Sequence, residues 1–118
     1  MKIIVLKFGG TSIGSIHRIK KVAKIVKSYT KKYKVIILSS AMSGTTNKLI
    51  DMSKKISDNF ADNEYDTLVS AGEQISCSLL AGQLIENGIQ ARSLMAWQIP
   101  IITEGQHKYS RIKYIYKK

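Results

Sequence analysis

Two short unbroken apolar runs stand out near the start of the chain, Ile3-Ile4-Val5-Leu6 and Val35-Ile36-Ile37-Leu38. Both are rich in β-branched residues, and Gly9-Gly10 closes the first, so they predict buried strands over residues 2–7 and 34–39. Between them Ile16, Ile19, Val22, Ala23, Val26, Tyr29 and Tyr33 recur at spacings of three and four, which predicts an amphipathic helix over 14–33. Ser40 to Asn47 is small and polar, hence a loop. Leu49, Ile50, Met52 and Ile56 predict a second helix from Lys48 to about Phe60. Leu68, Gly72, Ile75, Leu79, Leu80 and Leu84 predict a third over 64–87, stopped by Asn87-Gly88. Ile89 to Leu94 reads as a further, more polar strand, and the alternation Ile112, Tyr114, Tyr116 as a last one over 111–116.

Strands alternating with helices, the strands almost wholly apolar, predict an α/β fold: a mostly parallel sheet with helices on both faces, an αβα sandwich. The chain of 118 residues suits one domain or part of one. No stretch approaches the roughly 18 apolar residues of a spanning helix. At the N-terminus Lys7 interrupts the apolar run well short of the about 7–15 residues of a secretory segment. The single Cys77 permits no disulfide framework, and no cysteine–histidine cluster offers a metal site. A cytoplasmic, non-membrane protein is expected.

The net charge of +11 admits two readings: a basic patch for nucleic acid, or a field that suits anionic ligands. The densest cluster, from Lys20 to Lys34, falls on the outer side of the first helix, where a solvated face accounts for it. No nucleic-acid recognition module or aromatic stacking set is visible, so no nucleic-acid partner is expected.

Three segments carry candidate chemistry. Lys7-Phe8-Gly9-Gly10-Thr11-Ser12 follows the first strand, where ligands bind in open α/β sheets. Its glycines let backbone N–H groups approach a phosphate, and Lys7 adds a full charge. Equally, the segment could be a tight turn with Thr11 or Ser12 capping the helix. Ser39-Ser40-Ala41-Met42-Ser43-Gly44-Thr45-Thr46-Asn47 follows the second strand. Its hydroxyls suit a carboxylate or phosphate, and Thr45, Thr46 or Asn47 is expected to cap the next helix. In Leu68-Val69-Ser70-Ala71-Gly72-Glu73-Gln74-Ile75-Ser76 an acid stands beside an apolar stripe. A carboxylate there needs a partner, either a ligand's ammonium group or a local lysine, unless it tilts outward. Cys77 reads as packing, Trp97 as core or pocket wall, His17 and His107 as isolated, and Asp58, Asp62, Glu64 and Asp66 as a solvated turn and helix start.

Taken together and in this order, the segments resemble the aspartate kinases of the amino acid kinase family. The resemblance extends through Trp97-Gln98, Ile101-Ile102-Thr103, His107 and Arg111-Ile112. It departs at Ala96, where the family has glycine, and at Ile99-Pro100. It implies transfer of the γ-phosphoryl group of ATP, with Mg²⁺, to the side-chain carboxylate of L-aspartate. It also implies roles. Lys7 would be catalytic and contact the transferring phosphoryl group. Lys7, Phe8, Gly9, Gly10 and Ser40 would bind nucleotide and phosphates. Thr46 and Glu73 would bind aspartate, Glu73 facing its ammonium group. Residues 1–118 would form the N-terminal, amino-acid-binding part of the kinase domain, with the nucleotide half and the regulatory ACT domains absent. Weak or no turnover is then expected of the chain alone, and a complementing second half or a homo-oligomer becomes a possible partner.

Overall fold

A computed structural model describes residues 1–116. The α/β class is as expected, with parallel strands and packed helices. Strand β1 (Lys2–Phe8) leads to helix α1 (Ile16–Thr30), strand β2 (Tyr33–Ser39), helix α2 (Thr45–Ile56) and helix α3 (Asp62–Glu86). A short 3-10 turn (Ala96–Gln98) precedes strands β3 (Ile101–Glu104) and β4 (Arg111–Ile115).

The first two strands pair in parallel from Lys2 opposite Tyr33 to Phe8 opposite Ser39. Their side chains alternate. Leu6, Phe8, Val35 and Ile37 pack on a core of Ile13, Ile19, Val22, Ala23, Val26, Leu80 and Leu84, contributed mainly by α1 and α3. Helices therefore cover this one face among the described residues. The opposite face presents Ile3 and Val5 beside Ile36 and Leu38, each half or more exposed. A two-stranded sheet has little surface to hold a second helical layer, and parallel sheets are ordinarily covered on both sides.

Helix α1 begins two residues later than expected. Ser15, not Thr11 or Ser12, is its cap: the Ser15 hydroxyl accepts from the Arg18 amide at 3.2 Å. The chain from Gly9 to Gly14 is instead a pair of turns, Ser12 N–H bonding Gly9 O and Gly14 N–H bonding Thr11 O. Helix α2, by contrast, has no side-chain cap. Gly44, at φ 81°, starts it, and none of Thr45, Thr46 and Asn47 plays the expected part. A left-handed residue there turns the chain without needing a hydroxyl. The stop of α3 is as expected: Ile89 N–H reaches back to Leu84 O and Gly88 takes φ 80°, a Schellman closure.

The buried stripe of α3 is Gly72, Ser76, Leu80 and Leu84, a strict four-residue row. Ile75 and Leu79 lie outside it and are exposed. The helix packs against α1, α2 and β2 together, and that crowding selects the row with the smallest residues at its first half.

In the C-terminal third the expected last strand forms, over Arg111–Ile115, but the strand at Ile89 to Leu94 and the packing of Trp97 do not. Ile89 to Leu94 is not a strand among the described residues, although Ile89 and Ala91 pack on the core. A cleft of about 660 Å³ separates it from the free edge of β2. With Gln90, Arg92 and Ser93 it lacks the β-branched content that favours a ladder. The last strand pairs antiparallel with Ile101–Glu104, a strand the helix-and-strand reading passed over, so the tail forms a hairpin apart from the parallel sheet. Trp97 is exposed at 64%, neither core nor wall. Lys117 and Lys118 lie outside the described residues.

The hairpin tip is held to the start of α3 by charges that looked solvated. Asp66 accepts from the Lys108 amide at 3.2 and 3.1 Å and lies 2.8 Å from His107 Nδ1. Lys108 Nζ meets Asp62 at 2.6 Å and sits over the Tyr65 ring. Desolvation, the largest single influence, pushes the Asp66 carboxyl up, but the Lys108 amide, the His107 hydrogen bond and the charges of His107 and Lys108 together outweigh it and hold the carboxyl below its ordinary value. A depressed carboxyl stabilises the folded form above its unfolded value of about 3.9 and loses that contribution as pH falls through the lower folded value. The tip should therefore stay docked at neutral pH and release in acid, seen as an acid transition of the Lys108 amide resonance. The Asp66→Asn variant should lack that transition.

Candidate functional site

The three motifs meet at the C-terminal ends of β1 and β2. The β-branched runs form the strands, and the small residues after each let the chain leave the sheet in tight turns. Ser43 N–H donates to Gly10 O at 3.1 Å, and Ser40 N–H donates to Phe8 O at 3.2 Å, so the first two loops are bonded to one another. A Cβ on Gly10 would stand 2.8 Å from the Ala41 carbonyl oxygen, closer than side chains approach backbone. Glycine is required there by contact. The loop is pinned from α1 as well, where Arg18 Nη1 donates to Thr11 O at 2.6 Å.

Helix α3 closes the third side. A Cβ on Gly72 would lie 3.0 Å from Ala41 Cβ and 3.3 Å from Thr45 Cγ2. That contact sets Glu73 next to the junction of the second loop with α2, and Thr46 follows Thr45 in the first turn of α2. Both Thr46 and Glu73 are half-buried. Alanine at position 72 would gain about 1 kcal/mol of helix propensity but meet overpacking costs of about 1–3 kcal/mol. Because Ala41 is buried and cannot retreat, we expect Gly72→Ala to be destabilising by up to about 2 kcal/mol, read as a lower denaturant midpoint.

Each expected site residue has a definite place. Gly9 is exposed, with open space where a Cβ would stand. The Phe8 ring packs on the core, and its carbonyl oxygen accepts from the Ser40 N–H, so Phe8 is turned toward the fold on both counts. Ser40 is half-buried at the end of β2. Lys7 shares the open sheet face with Ile3 and Val5 and is exposed, whereas α3 packs on the covered face. A ligand touching both Lys7 and Glu73 must therefore lie across the C-terminal rim of the sheet. The N-terminus of α1 is six residues past Gly10, so the loop's own N–H groups, rather than the helix end, are the nearer anion donors. The large cleft beside β2 includes none of Lys7, Gly9, Gly10, Thr46 and Glu73. Its apolar wall includes Leu80, Ala81, Leu84 and Ala91. Cys77 also faces this cleft, and burial pushes its thiol up, which agrees with a packing role.

A family model, described as the amino acid kinase family, matches residues 2–116. The chain belongs to the amino acid kinase family. Among its relatives are an aspartokinase of Geobacillus stearothermophilus, 47% identical over 113 residues and 95% of this chain, and an aspartokinase of Rickettsia felis, 43% identical over 121 residues and 98% of this chain. The chain spans 28% and 30% of their lengths. The solved aspartate kinase from Synechocystis superposes with a TM-score of 0.69 at 40% identity, over 74% of this chain and 15% of that one. Aspartokinase III of E. coli, solved with aspartate and ADP, superposes with a TM-score of 0.78 over 96% of this chain and 35% of that one. At 20% identity the second match speaks for the amino acid kinase fold alone. No helix among the described residues is long and apolar enough to cross a membrane.

Ser76, within the third motif but given no role by sequence, is fully buried against the end of β2. A serine on the buried row of a helix was the available signal.

Proposed function

We propose that this chain is the N-terminal, amino-acid-binding part of an aspartate kinase working in the cytoplasm. The reaction is direct transfer: an oxygen of the aspartate side-chain carboxylate bonds to the γ-phosphorus of ATP, the bond to the bridging β–γ oxygen breaks, and ADP leaves. The product is 4-phospho-L-aspartate. The observation that supports this reading is the convergence of all three motifs on one rim of the sheet: backbone bonds between Gly10 and Ser43 and between Phe8 and Ser40 join the first two, and the Ser76 hydroxyl joins the third to the Ser40 carbonyl.

Phosphoryl transfer depends on positioning and charge stabilisation more than on covalent chemistry of the protein. Two anions must meet, so positive charge at the point of contact matters most. Lys7 supplies it from the strand end, and the open backbone at Gly9 allows phosphate oxygens to approach N–H groups. Ser40 stands between the nucleotide and amino-acid sides. Thr46 and Glu73 hold aspartate, the carboxylate of Glu73 pairing with the substrate ammonium. Among the described residues no three histidine, cysteine, aspartate or glutamate side chains gather as a metal cage. Mg²⁺ would be carried on the phosphate oxygens, where it would screen their charge.

A second reading is a non-catalytic remnant, or one half of a split kinase. The open face of Ile3, Val5, Ile36 and Leu38 favours it, since such a surface calls for a covering layer. Hydroxylamine trapping of the acyl phosphate tests both. We expect little or no signal from the chain alone with ATP and aspartate, and a signal when a chain supplying the rest of the domain is added. Robust turnover by the 118-residue chain alone would overturn the expectation of a dependent half. Silence in both arms would leave the remnant.

A further inference from the structure

We infer that Ser76 is a positioning residue that locks the Ser40 end of β2 to α3, one helical turn beyond Glu73. The inference rests on the kinase reading above for its functional meaning, though not for its geometry. Serines inside helices ordinarily bond back to their own helix. Ser28, Ser53, Ser70 and Ser78 all do so here, Ser53 while buried. Ser76 has such an acceptor in Glu73 O at 3.2 Å, yet its shorter bond, 2.6 Å, runs to Ser40 O across 36 positions of sequence. A hydroxyl has one hydrogen to give, and the shorter contact takes it. Ser39 Oγ, 3.4 Å away, can donate to the lone pair that remains.

Ser40 is thereby held from both sides. Its N–H is bonded to Phe8 O, at the threshold of the Gly9-Gly10 loop, and its C=O is bonded to α3. One peptide segment thus ties the phosphate-side loop to the helix that carries the amino-acid-side glutamate. Ser76 is 0% exposed, so water does not reach the helix side of the bond if the hydroxyl is removed, and only the longer Ser39 Oγ contact, 3.3 Å, stays on the Ser40 carbonyl. In phosphoryl transfer the spacing of donor and acceptor subsites is the main thing the protein controls, and this bond fixes it.

The test uses the ¹⁵N-labelled full chain, with amide hydrogen exchange and an L-aspartate titration. Ser76→Ala should speed exchange at the Ser40 and Ser43 amides by about fivefold to tenfold while α1 amides keep wild-type protection. Ser76→Cys keeps the volume with a far weaker donor and should behave likewise; it serves if the alanine variant loses global protection. Ser76→Thr should restore slow exchange, and Ser39→Ala, which removes only the longer 3.3 Å contact to the Ser40 carbonyl, should affect Ser40 far less than Ser76→Ala does. In the wild type, aspartate should shift resonances at Gly72–Gln74 and also at Ser40; in Ser76→Ala the first shifts should persist and the Ser40 shift should vanish. Wild-type exchange at Ser40 and Ser43 in both Ser76→Ala and Ser76→Cys would overturn the inference, as would a Ser40 shift that survives. If aspartate shifts nothing in the wild type, the kinase reading fails, and the exchange rates still decide the role of Ser76.

Discussion

Lys7→Met should lower 4-phosphoaspartate formation by about 100- to 1,000-fold in any assembly that supports turnover, with little change in fold stability. The size follows from the loss of one preorganised charged donor at a developing anion, a deletion that costs about that much in other transfer reactions. The stability forecast follows from position. Lys7 is exposed on the open sheet face, and the described residues place no ion pair on it, so its removal should shift unfolding by no more than about 0.5 kcal/mol. Lys7→Arg keeps the charge but changes its shape and reach, and should recover only part of the rate. Two measurements decide the matter: hydroxylamine trapping for rate, and denaturant unfolding for stability. A rate unchanged in Lys7→Met would remove Lys7 from the reaction. A large loss of stability would show that its stem supports the sheet instead.

The second large effect is expected at Gly10. An alanine there places its methyl 2.8 Å from Ala41 O and 3.4 Å from Ser43 N, both backbone atoms. A flexible side chain could swing aside, but here the buried Ala41 segment or the Gly10 turn has to move. We expect Gly10→Ala to cost about 1–3 kcal/mol, with a melting temperature several degrees lower, and to break the Ser43–Gly10 bond that joins the two loops. Gly9→Ala is the control. Nothing lies within 4 Å of its added methyl, so stability should hold, while a ligand that needs the open backbone at that point should bind more weakly. Thermal unfolding of the pair separates packing from ligand approach. Equal stability losses at positions 9 and 10 would show that backbone freedom, rather than contact with Ala41, explains both glycines.

Much of this molecule could be read from spacing. The runs at Ile3–Leu6 and Val35–Leu38 announce β1 and β2 because a strand buried in a sheet needs little else. The Ile19, Val22, Ala23, Val26 row announces the buried side of α1 for the same reason. Hydrophobic period is a local property, and these elements obey it. The last strand, Arg111–Ile115, follows its alternation, but its hairpin partner Ile101–Glu104 was hidden because it is only four residues long and half exposed. Its β-branched start and the Glu104-Gly105 turn were the signal that could have shown it.

Caps were legible only as residue types. Ser, Thr and Asn near a helix start all qualify, and contact with the rest of the fold selected Ser15 for α1 and left-handed Gly44 for α2. The charges at Asp62, Asp66, His107 and Lys108 were also unreadable as a group, because 41 positions separate the acid from the histidine that meets it.

By itself the amino-acid sequence determined the α/β class, the first two strands, the three helices and the three motifs in family order. Those depend on local periodicity and on residue types that sit close along the chain. Tertiary structure alone decided that the motifs share one rim, that Gly10 and Gly72 are contact points, that Ser76 bonds to Ser40, and that among the described residues helices cover only one face of the β1–β2 pair. Such facts arise from through-space packing between segments tens of residues apart, where no local pattern records which atoms will touch.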